Sequence, residues 1–302
     1  MPLGFQHLVA MLLGNITPPL LVAGALSLSG ADTALLMQAV FFMAGIAILV
    51  QAYPIGPVGG RIPVIMGTSI AFVTGIIVIG REYGLAAVFG ACLVASVVEI
   101  LLGFSISRLR TLFPPLVNGI VVMLIGLTLI PVGMDYAAGG VAAADYGAPV
   151  NLLMAGVVFL VTLLLNRFGK GFLRHASLLV GVVTGYALAI ALGRVDFSAV
   201  SDAGLLAAPR PLAFGLEFHV DAILLMAFIY VISAMETIGD ISGTLAAVDR
   251  DATTQELRGG LVADGVMSGL AALFSAFPNT SYSQTVGLVN FTCAFLPSGE
   301  HP

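Results

Sequence analysis

Long apolar runs separated by short polar stretches make up most of the chain. A helix that crosses a bilayer needs about 20 predominantly apolar residues, and nine segments have approximately that character. They lie at 5–28, 35–53, 62–80, 84–105, 113–134, 150–166, 176–193, 220–240 and 258–275. Part of a tenth begins near Phe277, and the longest polar stretch is a loop at about 194–219. The pattern predicts an all-α polytopic membrane protein.

Two of these segments break the helical pattern in the same way. The third reads RIPVIMGTSIAFVTG and the tenth reads AFPNTSYSQTVG, so each places a Thr-Ser pair shortly after a proline. Non-helical backbone at membrane depth is tolerated only where it is buried in protein or lines a cavity. Interrupted segments in corresponding positions of two halves point to the binding site of a transporter built from repeats. Loops between helices, or proline kinks, are the alternative interpretation.

The composition agrees with a chain whose solvent is lipid. Of 302 residues, 59% are apolar and 9% are charged, against about 25% charged in a typical soluble domain, which excludes an ordinary soluble enzyme. The net charge of −5 and the lack of a basic patch disfavour a nucleic-acid partner. Enzyme and metal motifs such as G-x-S-x-G, H-E-x-x-H and C-x-x-C do not occur, so we expect no enzyme activity, no metal and no organic cofactor. The N-x-[ST] matches at Asn15, Asn279 and Asn290 fall in apolar segments and are treated as chance.

Basic residues in the loops predict the orientation of the chain. Loops after the even-numbered segments carry eight Lys and Arg residues, and loops after the odd-numbered segments carry three. Because basic residues concentrate in cytoplasmic loops, we expect a multi-pass protein of the cell membrane. Its N-terminus and its 167–174 loop should lie in the cytoplasm.

Two carboxylates lie together in the eighth segment. Glu236 and Asp240 occur in METIGDISGT, and their i, i+4 spacing places them on one helix face. A carboxylate at the bilayer centre costs about 2.5–3.5 kcal/mol, so we expect both to face a polar site. Desolvation and mutual repulsion favour a proton on one of them, which makes it a candidate proton carrier. A solvated helix end is the alternative, but Asp249 and Asp251 already supply that end.

Four further polar residues are candidates for function. Asp264 is interpreted as a coupling carboxylate, a partner for backbone N–H groups or an interfacial residue. Glu99 ends an apolar run, and we expect an interfacial, structural role for it. His7 is either packed in its helix or a contact for a purine-sized polar substrate. The amide of Gln284 both donates and accepts, which suits a planar neutral heterocycle, a helix cap or a link between helices.

Several stretches together resemble a known family. They are LGFQHLVAMLLGNITPPLLVAG, MGTSIAF, METIGDISGT, RGGLVADG and FPNTSYSQTVGLVNFT, and the resemblance covers residues 4–292. The family is that of the nucleobase–ascorbate transporters (nucleobase:cation symporters), and the chain looks most like its bacterial xanthine/urate permeases. The resemblance implies an inverted-repeat fold of fourteen spans in two seven-span repeats, with short strands in spans three and ten.

The resemblance also implies a core domain and a gate domain. Residues 1–110 correspond to the first part of the core, 111–195 to the first half of the gate, 196–219 to a loop and 220–302 to an incomplete second part of the core. Spans eleven to fourteen have no counterpart, so we expect a C-terminally truncated chain with about nine full spans and part of a tenth.

Residue roles follow from the resemblance position by position. Glu236 corresponds to the substrate-binding carboxylate of the family. Gln284 corresponds to the first residue of the signature Q-N-x-G-x-x-x-x-T-[RKG], where glutamine favours purines over uracil. Thr285 replaces the Asn of this signature, and Cys293 replaces its last residue. Further substrate contacts are implied for His7, Ser69, Phe72 and Thr285, and proton coupling for Asp240 and Asp264 together with Glu236.

The expected function is proton-coupled uptake of a purine, xanthine or uric acid. The proton is the coupling ion, the lipid bilayer and the purine are the partners, and a homodimer is compatible with the resemblance. A sulfate-permease-like anion transporter of the same architecture is one alternative. A membrane fragment that does not transport is the other.

Overall fold

The structure is a computed structural model that describes most of the chain. The described residues are 2–106, 120, 123, 127, 130–131, 133–140, 143, 145–170, 174, 177–195, 209–282 and 285. For residues 2–11, 13 and 178 the description covers the backbone alone. The side chain of His7, all of Gln284 and Cys293, and much of the predicted segment 113–134 therefore lie outside the described residues.

Helices account for most of the described residues. The elements with defined bounds are α1 (Pro2–Ala25), α2 (Gly30–Ala52), β1 (Met66–Thr68), α3 (Val73–Tyr83), α4 (Leu85–Phe104), α5 (Pro149–Phe168), α6 (Ser177–Ala191), α7 (Val220–Ala246), α8 (Thr254–Leu273) and β2 (Asn279–Ser281). Within the described part, α2, α4, α5 and α7 are long and apolar enough to cross a membrane. The prediction of a mostly helical protein with several spanning helices is confirmed.

The third and tenth predicted segments are not continuous helices. In the third, β1 is followed by a short 3-10 helix, Ile70–Phe72, and then by α3. The 3-10 helix begins where the Ser69 hydroxyl accepts a hydrogen bond from the Ala71 N–H at 3.1 Å. The tenth segment contributes β2. The interrupted backbone that the sequence pattern indicated is present in both segments.

The two strands pair with each other. They run antiparallel, with Met66 opposite Ser281, Gly67 opposite Thr280 and Thr68 opposite Asn279. All six residues are buried. Since backbone N–H and C=O groups have no water to bond inside a membrane protein, pairing satisfies them without a helix.

The chain divides into two compact units, of which the larger comprises residues 1–127 and 209–302. Its core contains α4, α7 and α8, and close approach between α4 and α8 depends on glycine. A Cβ atom at Gly265 of α8 would lie 2.9 Å from the backbone N of Ile100 and 3.0 Å from the backbone O of Ser96. The small residue therefore lets the two helix backbones meet.

The smaller unit comprises residues 128–208 and contains the α5–α6 hairpin. Its loops are tied by Asn151, whose Nδ2 donates to the Asp145 carbonyl at 2.9 Å. Arg194 donates to Asn151 Oδ1 and to the Asp145 carboxylate, each at 2.7 Å. The hydrogen bond from Arg194 is the main cause that lowers the pKa of the exposed Asp145 carboxyl, and the hydrogen bond from Asn151 is the second.

Candidate functional site

One asparagine joins the strand pair to the first helix. The Oδ1 atom of Asn15 accepts hydrogen bonds from the Thr68 N–H at 2.8 Å and from the Tyr282 hydroxyl at 2.9 Å. The same hydroxyl lies 3.0 Å from the Thr68 carbonyl oxygen. Gly67 has to be glycine here, because a Cβ atom would collide with Asn15 and with the Tyr282 hydroxyl. Three parts of the chain thus meet at one side chain.

A polar face of α7 lies against β2. Ser233 donates to the Thr280 hydroxyl at 3.3 Å, and Thr237 and Thr280 share a hydrogen bond of 3.1 Å between their hydroxyls. Ser281 donates to Asp240 Oδ2 at 2.9 Å. The side chain of Asp240 is 6% exposed. The interpretation of this carboxylate as a solvated helix end is therefore wrong.

Glu236 lies on the same helix and approaches the other strand. Its Oε2 accepts a hydrogen bond from the Ser69 hydroxyl at 3.4 Å. In the described part of the chain, no hydrogen bond reaches its other oxygen, Oε1. The side chain is partly exposed. It therefore presents a free acceptor beside the strand pair.

Asp264 and Glu99 are more deeply buried than the sequence suggested. Both side chains are 0% exposed. Asp264 Oδ2 accepts a short hydrogen bond from the Thr237 hydroxyl. Neither carboxyl is solvated, since both are enclosed in the packing of α4, α7 and α8. The interfacial interpretation of Asp264 and the interfacial, structural role of Glu99 stay predictions.

Several buried polar atoms around the strands have no hydrogen-bond partner among the described residues. They are Asn15 Nδ2, Thr68 Oγ1, Asp264 Oδ1, and Nδ2 and Oδ1 of Asn279. Buried polar groups in native proteins are nearly always paired, so these unpaired atoms are unusual. The set contains both donors and acceptors.

Four of the predicted site residues meet at this place. Ser69, Glu236, Asp240 and Asp264 are connected through the strands and the hydroxyls of α7. Thr285 joins them indirectly, because its Oγ1 accepts a hydrogen bond from the Ile65 N–H, just before β1, at 3.1 Å.

The remaining predicted site residues are placed differently. The ring of Phe72 is fully buried and meets Tyr230 edge-on, with ring centroids 4.8 Å apart, so its contact with substrate stays a prediction. His7 lies in α1, but its side chain falls outside the described residues, as does all of Gln284.

Two asparagines and a tyrosine at the site are not among the residues that the sequence predicts there. Asn15 and Asn279 occur in N-x-[ST] matches that the sequence gives no functional meaning, and Tyr282 belongs to no candidate pattern. The signal was the position of two amides in apolar segments, where an unpaired polar group costs free energy. Tyr282 lies in the interrupted tenth segment itself, within two residues of the signature glutamine position.

The carboxyls do not form a metal site in the part of the chain described. No group of three or more His, Cys, Asp or Glu residues there could hold a metal ion. The ion pairs of the described residues also lie elsewhere, at Asp145, Glu217 and Glu256. The site can accept hydrogen bonds from ring N–H groups, donate from amides and hydroxyls, and exchange protons.

Comparison with known proteins identifies permeases as relatives of this chain. Residues 1–295 match the family model Xan_ur_permease, described as a permease family. The chain is 38% identical over 291 residues to the xanthine permease of Bacillus subtilis (strain 168), covering 96% of this chain and 66% of the relative. It is also 38% identical over 294 residues to the uric acid transporter UacT of Escherichia coli (strain K12), covering 96% and 61%. The chain thus spans less than two thirds of the length of these relatives.

A solved structure shares the fold. It is the transmembrane domain of the cyanobacterial bicarbonate transporter BicA, which matches with a TM-score of 0.59 over 94% of this chain and 75% of that domain. Sequence identity is 15%, so the likeness concerns the fold alone.

Proposed function

Because this chain belongs to the permease family whose sequence model it matches, we propose that it takes up purine nucleobases, xanthine or uric acid, together with protons. Uptake proceeds across the cytoplasmic membrane. Xanthine and urate are planar and carry both ring N–H donors and carbonyl acceptors. The names of the relatives, a xanthine permease and a uric acid transporter, support this substrate class.

The observation that carries the proposal is the position of Glu236. Its Oε1 is free among the described residues, and its Oε2 receives one long hydrogen bond from Ser69. A carboxylate in that state accepts a ring N–H in a charge-assisted hydrogen bond, which is stronger than a neutral one. The partly exposed side chain lies beside paired strands whose backbone is held rigid. Substrate therefore binds against the strands and α7, with Gln284 contributing its amide.

Proton coupling is assigned to Asp240 and Asp264. The Asp264 carboxyl is 0% exposed and pairs with no basic side chain of the described residues. A carboxyl in that state is more stable with a proton than without one, and substrate binding next to it alters that balance.

The architecture that goes with this function is the family fold of fourteen spans in two inverted repeats. A core domain comprises 1–110 and 220–302, and residues 111–195 belong to the gate. The separation of the chain into a unit of two distant stretches and a unit between them supports that division. The paired strands, one from each repeat, support the inverted symmetry. Gate motion against the core gives alternating access.

The alternative of an anion transporter gains support from the fold alone. The carboxyls of Glu99, Glu236 and Asp264 interact electrostatically with one another. Such a cluster repels an anion, and within the described residues no basic side chain pairs with it. A neutral base that donates N–H groups fits the site better.

Uptake of radiolabelled xanthine by a permease-deficient bacterial strain tests the proposal. The full-length protein that carries this sequence is expected to accumulate xanthine when the outside is acidic, and sulfate should not be taken up. Glu236→Gln removes the charge-assisted acceptor, worth about 1.5–3 kcal/mol, so xanthine affinity should fall about 10- to 150-fold.

Glu82→Gln is the matched control. It makes the same chemical change at an exposed position at the end of α3, and it should leave uptake unchanged. Unaltered xanthine affinity in a normally expressed Glu236→Gln protein contradicts the role of Glu236. Sulfate uptake without xanthine uptake contradicts the proposed function as a whole.

A further inference from the structure

Glu99 of α4 is a buried carboxyl that has no role in substrate binding or proton coupling as proposed above. Its side chain is 0% exposed, and neither oxygen has a hydrogen-bond partner among the described residues. The nearby Ser233 lies close enough to interact with Glu99, but its hydroxyl donates to Thr280. A structural glutamate would be expected to use its oxygens, since an unpaired buried acceptor is costly.

The groups around Glu99 are acidic or weakly polar. From α8 it faces Asp264, because the backbones of the adjoining residues Ile100 and Gly265 lie in close contact. Asp264 and Glu236 of α7 both interact with it electrostatically. Tyr230 of α7 interacts with Glu99 as well. The Tyr230 hydroxyl donates a hydrogen bond to the backbone carbonyl of Cys92 in α4 at 3.2 Å. Asp240 acts on Asp264 from the other side. No basic group of the described residues appears in this environment.

The basic residue at the adjoining end of α8 is engaged elsewhere. The guanidinium of Arg258 lies 4.5 Å from the centre of the Phe104 ring, near the end of α4. Two neighbouring carboxyls without a cation cannot both be ionised in a low-dielectric interior. At least one of Glu99 and Asp264 therefore carries a proton.

We propose that Glu99 is a proton-carrying residue of the transport cycle, which exchanges its proton with Oδ1 of Asp264. Oδ1 is the Asp264 oxygen that has no partner, while Thr237 occupies Oδ2. In the exchange, which takes place when Asp264 is ionised and the two carboxyls approach within hydrogen-bond distance, the O–H bond of Glu99 breaks as an O–H bond forms on Oδ1 of Asp264. The carboxylate left on Glu99 takes up the next coupling proton. This inference rests on the proposed function and extends its proton path by one residue, behind the substrate site.

Glu99→Gln separates a proton carrier from a merely protonated structural acid. Glutamine has the shape and neutrality of protonated glutamate but cannot release a proton. The purified full-length protein is reconstituted in vesicles, and two activities are measured with xanthine. One is accumulation driven by an imposed pH gradient, and the other is exchange of labelled for unlabelled xanthine without a gradient.

We expect the Glu99→Gln protein to lose gradient-driven accumulation and to retain exchange. Ser96→Ala is the matched control, because Ser96 lies one turn earlier on α4, is buried, and donates only to its own helix at Leu93 O. It should retain both activities. Should Glu99→Gln not fold, Glu99→Asp keeps an ionisable group and should accumulate xanthine with an altered pH dependence.

The outcomes distinguish this inference from the proposed function. Normal accumulation by Glu99→Gln, or an unaltered pH dependence of Glu99→Asp, overturns the role of Glu99 and leaves xanthine transport intact. Loss of exchange together with accumulation in a folded Glu99→Gln protein also overturns it, since Glu99 would then serve binding. If the unaltered protein neither accumulates nor exchanges xanthine, the proposed function is overturned, and with it the role of Glu99 in the transport cycle.

Discussion

At the residue scale, a single oxygen atom of Asn15 connects the first helix to both strands. Asn15→Ala removes the acceptor of the Thr68 N–H and of the Tyr282 hydroxyl. Leaving a buried donor unsatisfied costs about 1–3 kcal/mol, so we expect a clear fall in thermal stability. The measurement is the unfolding temperature of the purified protein in detergent.

A double-mutant cycle gives the control for Asn15. Tyr282→Phe removes one of the two donors, so the effects of Asn15→Ala and Tyr282→Phe should be smaller together than their sum. Full additivity would show that the hydrogen bond between these side chains does not stabilise the fold.

Thr285 stands where the family signature has asparagine, and its hydroxyl has a definite task. It accepts the Ile65 N–H, which would otherwise be an unpaired donor at the start of β1. Thr285→Val has nearly the same shape but no acceptor, and we expect a loss of about 1–3 kcal/mol in unfolding free energy.

The same isosteric change at Thr184 is the control for Thr285. The Thr184 hydroxyl donates to the carbonyl of Val180 within α6, so its removal leaves no donor unpaired. Equal stability changes at the two positions would refute a special role for Thr285.

At the scale of elements, the contact between α4 and α8 positions both Glu99 and Asp264. Gly265→Ala places a Cβ atom against the backbone of Ile100 and Ser96. Because backbone cannot step aside as a side chain can, we expect destabilisation of about 1–3 kcal/mol and weaker xanthine binding.

Gly45→Ala in α2 serves as the control for Gly265. No atom lies within 4 Å of a Cβ built there, so alanine should stabilise the helix by about 0.5–1 kcal/mol. Comparable destabilisation at both glycines would mean that the close helix approach is not what Gly265 provides.

The helices were largely predictable from hydropathy, and the non-helical stretches were predictable from the interruptions in the third and tenth segments. That these stretches form strands followed from the family resemblance alone. Pro63 and Pro278, each followed by a Thr-Ser pair, showed where helix could not continue. The elements that pack against each helix were not predictable from the sequence. Glu99 looks like a helix-end residue in the sequence, because periodicity does not reveal that α8 and its glycines close over it.

The candidate site was predictable where a residue type is costly in lipid. Glu236, Asp240 and Asp264 stand out on that ground alone. Tyr282 does not, because tyrosine is common in membrane proteins and its hydroxyl acquires meaning from Asn15, which lies 267 residues away in the sequence. Such partners are set by tertiary contacts.

At the scale of the whole molecule, contacts between loops are consistent with successive segments that cross the membrane in opposite directions. In the larger unit, Gly59 N–H donates to the Gly259 carbonyl at 2.9 Å, which joins the loop after the second segment to the helix that follows the eighth. Tyr83 and His219 stack with centroids 4.1 Å apart, which joins the loops after the third and seventh segments. Within the larger unit, one pair of even-numbered loops and one pair of odd-numbered loops are thus in contact.

The distribution of basic residues then predicts which side faces the cytoplasm. We expect a cysteine introduced at Lys170, in a protein whose own cysteines are replaced, to be shielded from an impermeant thiol reagent in intact cells. It should react once the membrane is permeabilised. A cysteine introduced at Ala143 should react with the same reagent in intact cells. Labelling of position 170 from outside would contradict the predicted orientation.

The pairing of β1 with β2 has a consequence for how the protein is made. Ile65 and Thr285, which flank the pair, are 220 residues apart, so ribosomes finish β1 long before its partner exists. Until then the groups of β1 that pair with β2 lack their partners in a medium that supplies none, although the Thr68 N–H can already bond Asn15 of α1. Contacts of such long range form late. Helices α1 to α4 therefore wait in the membrane as an unfinished assembly. During that interval quality-control proteases can degrade the incomplete chain. Faster elongation through α5 to α8 should therefore raise the yield of folded protein.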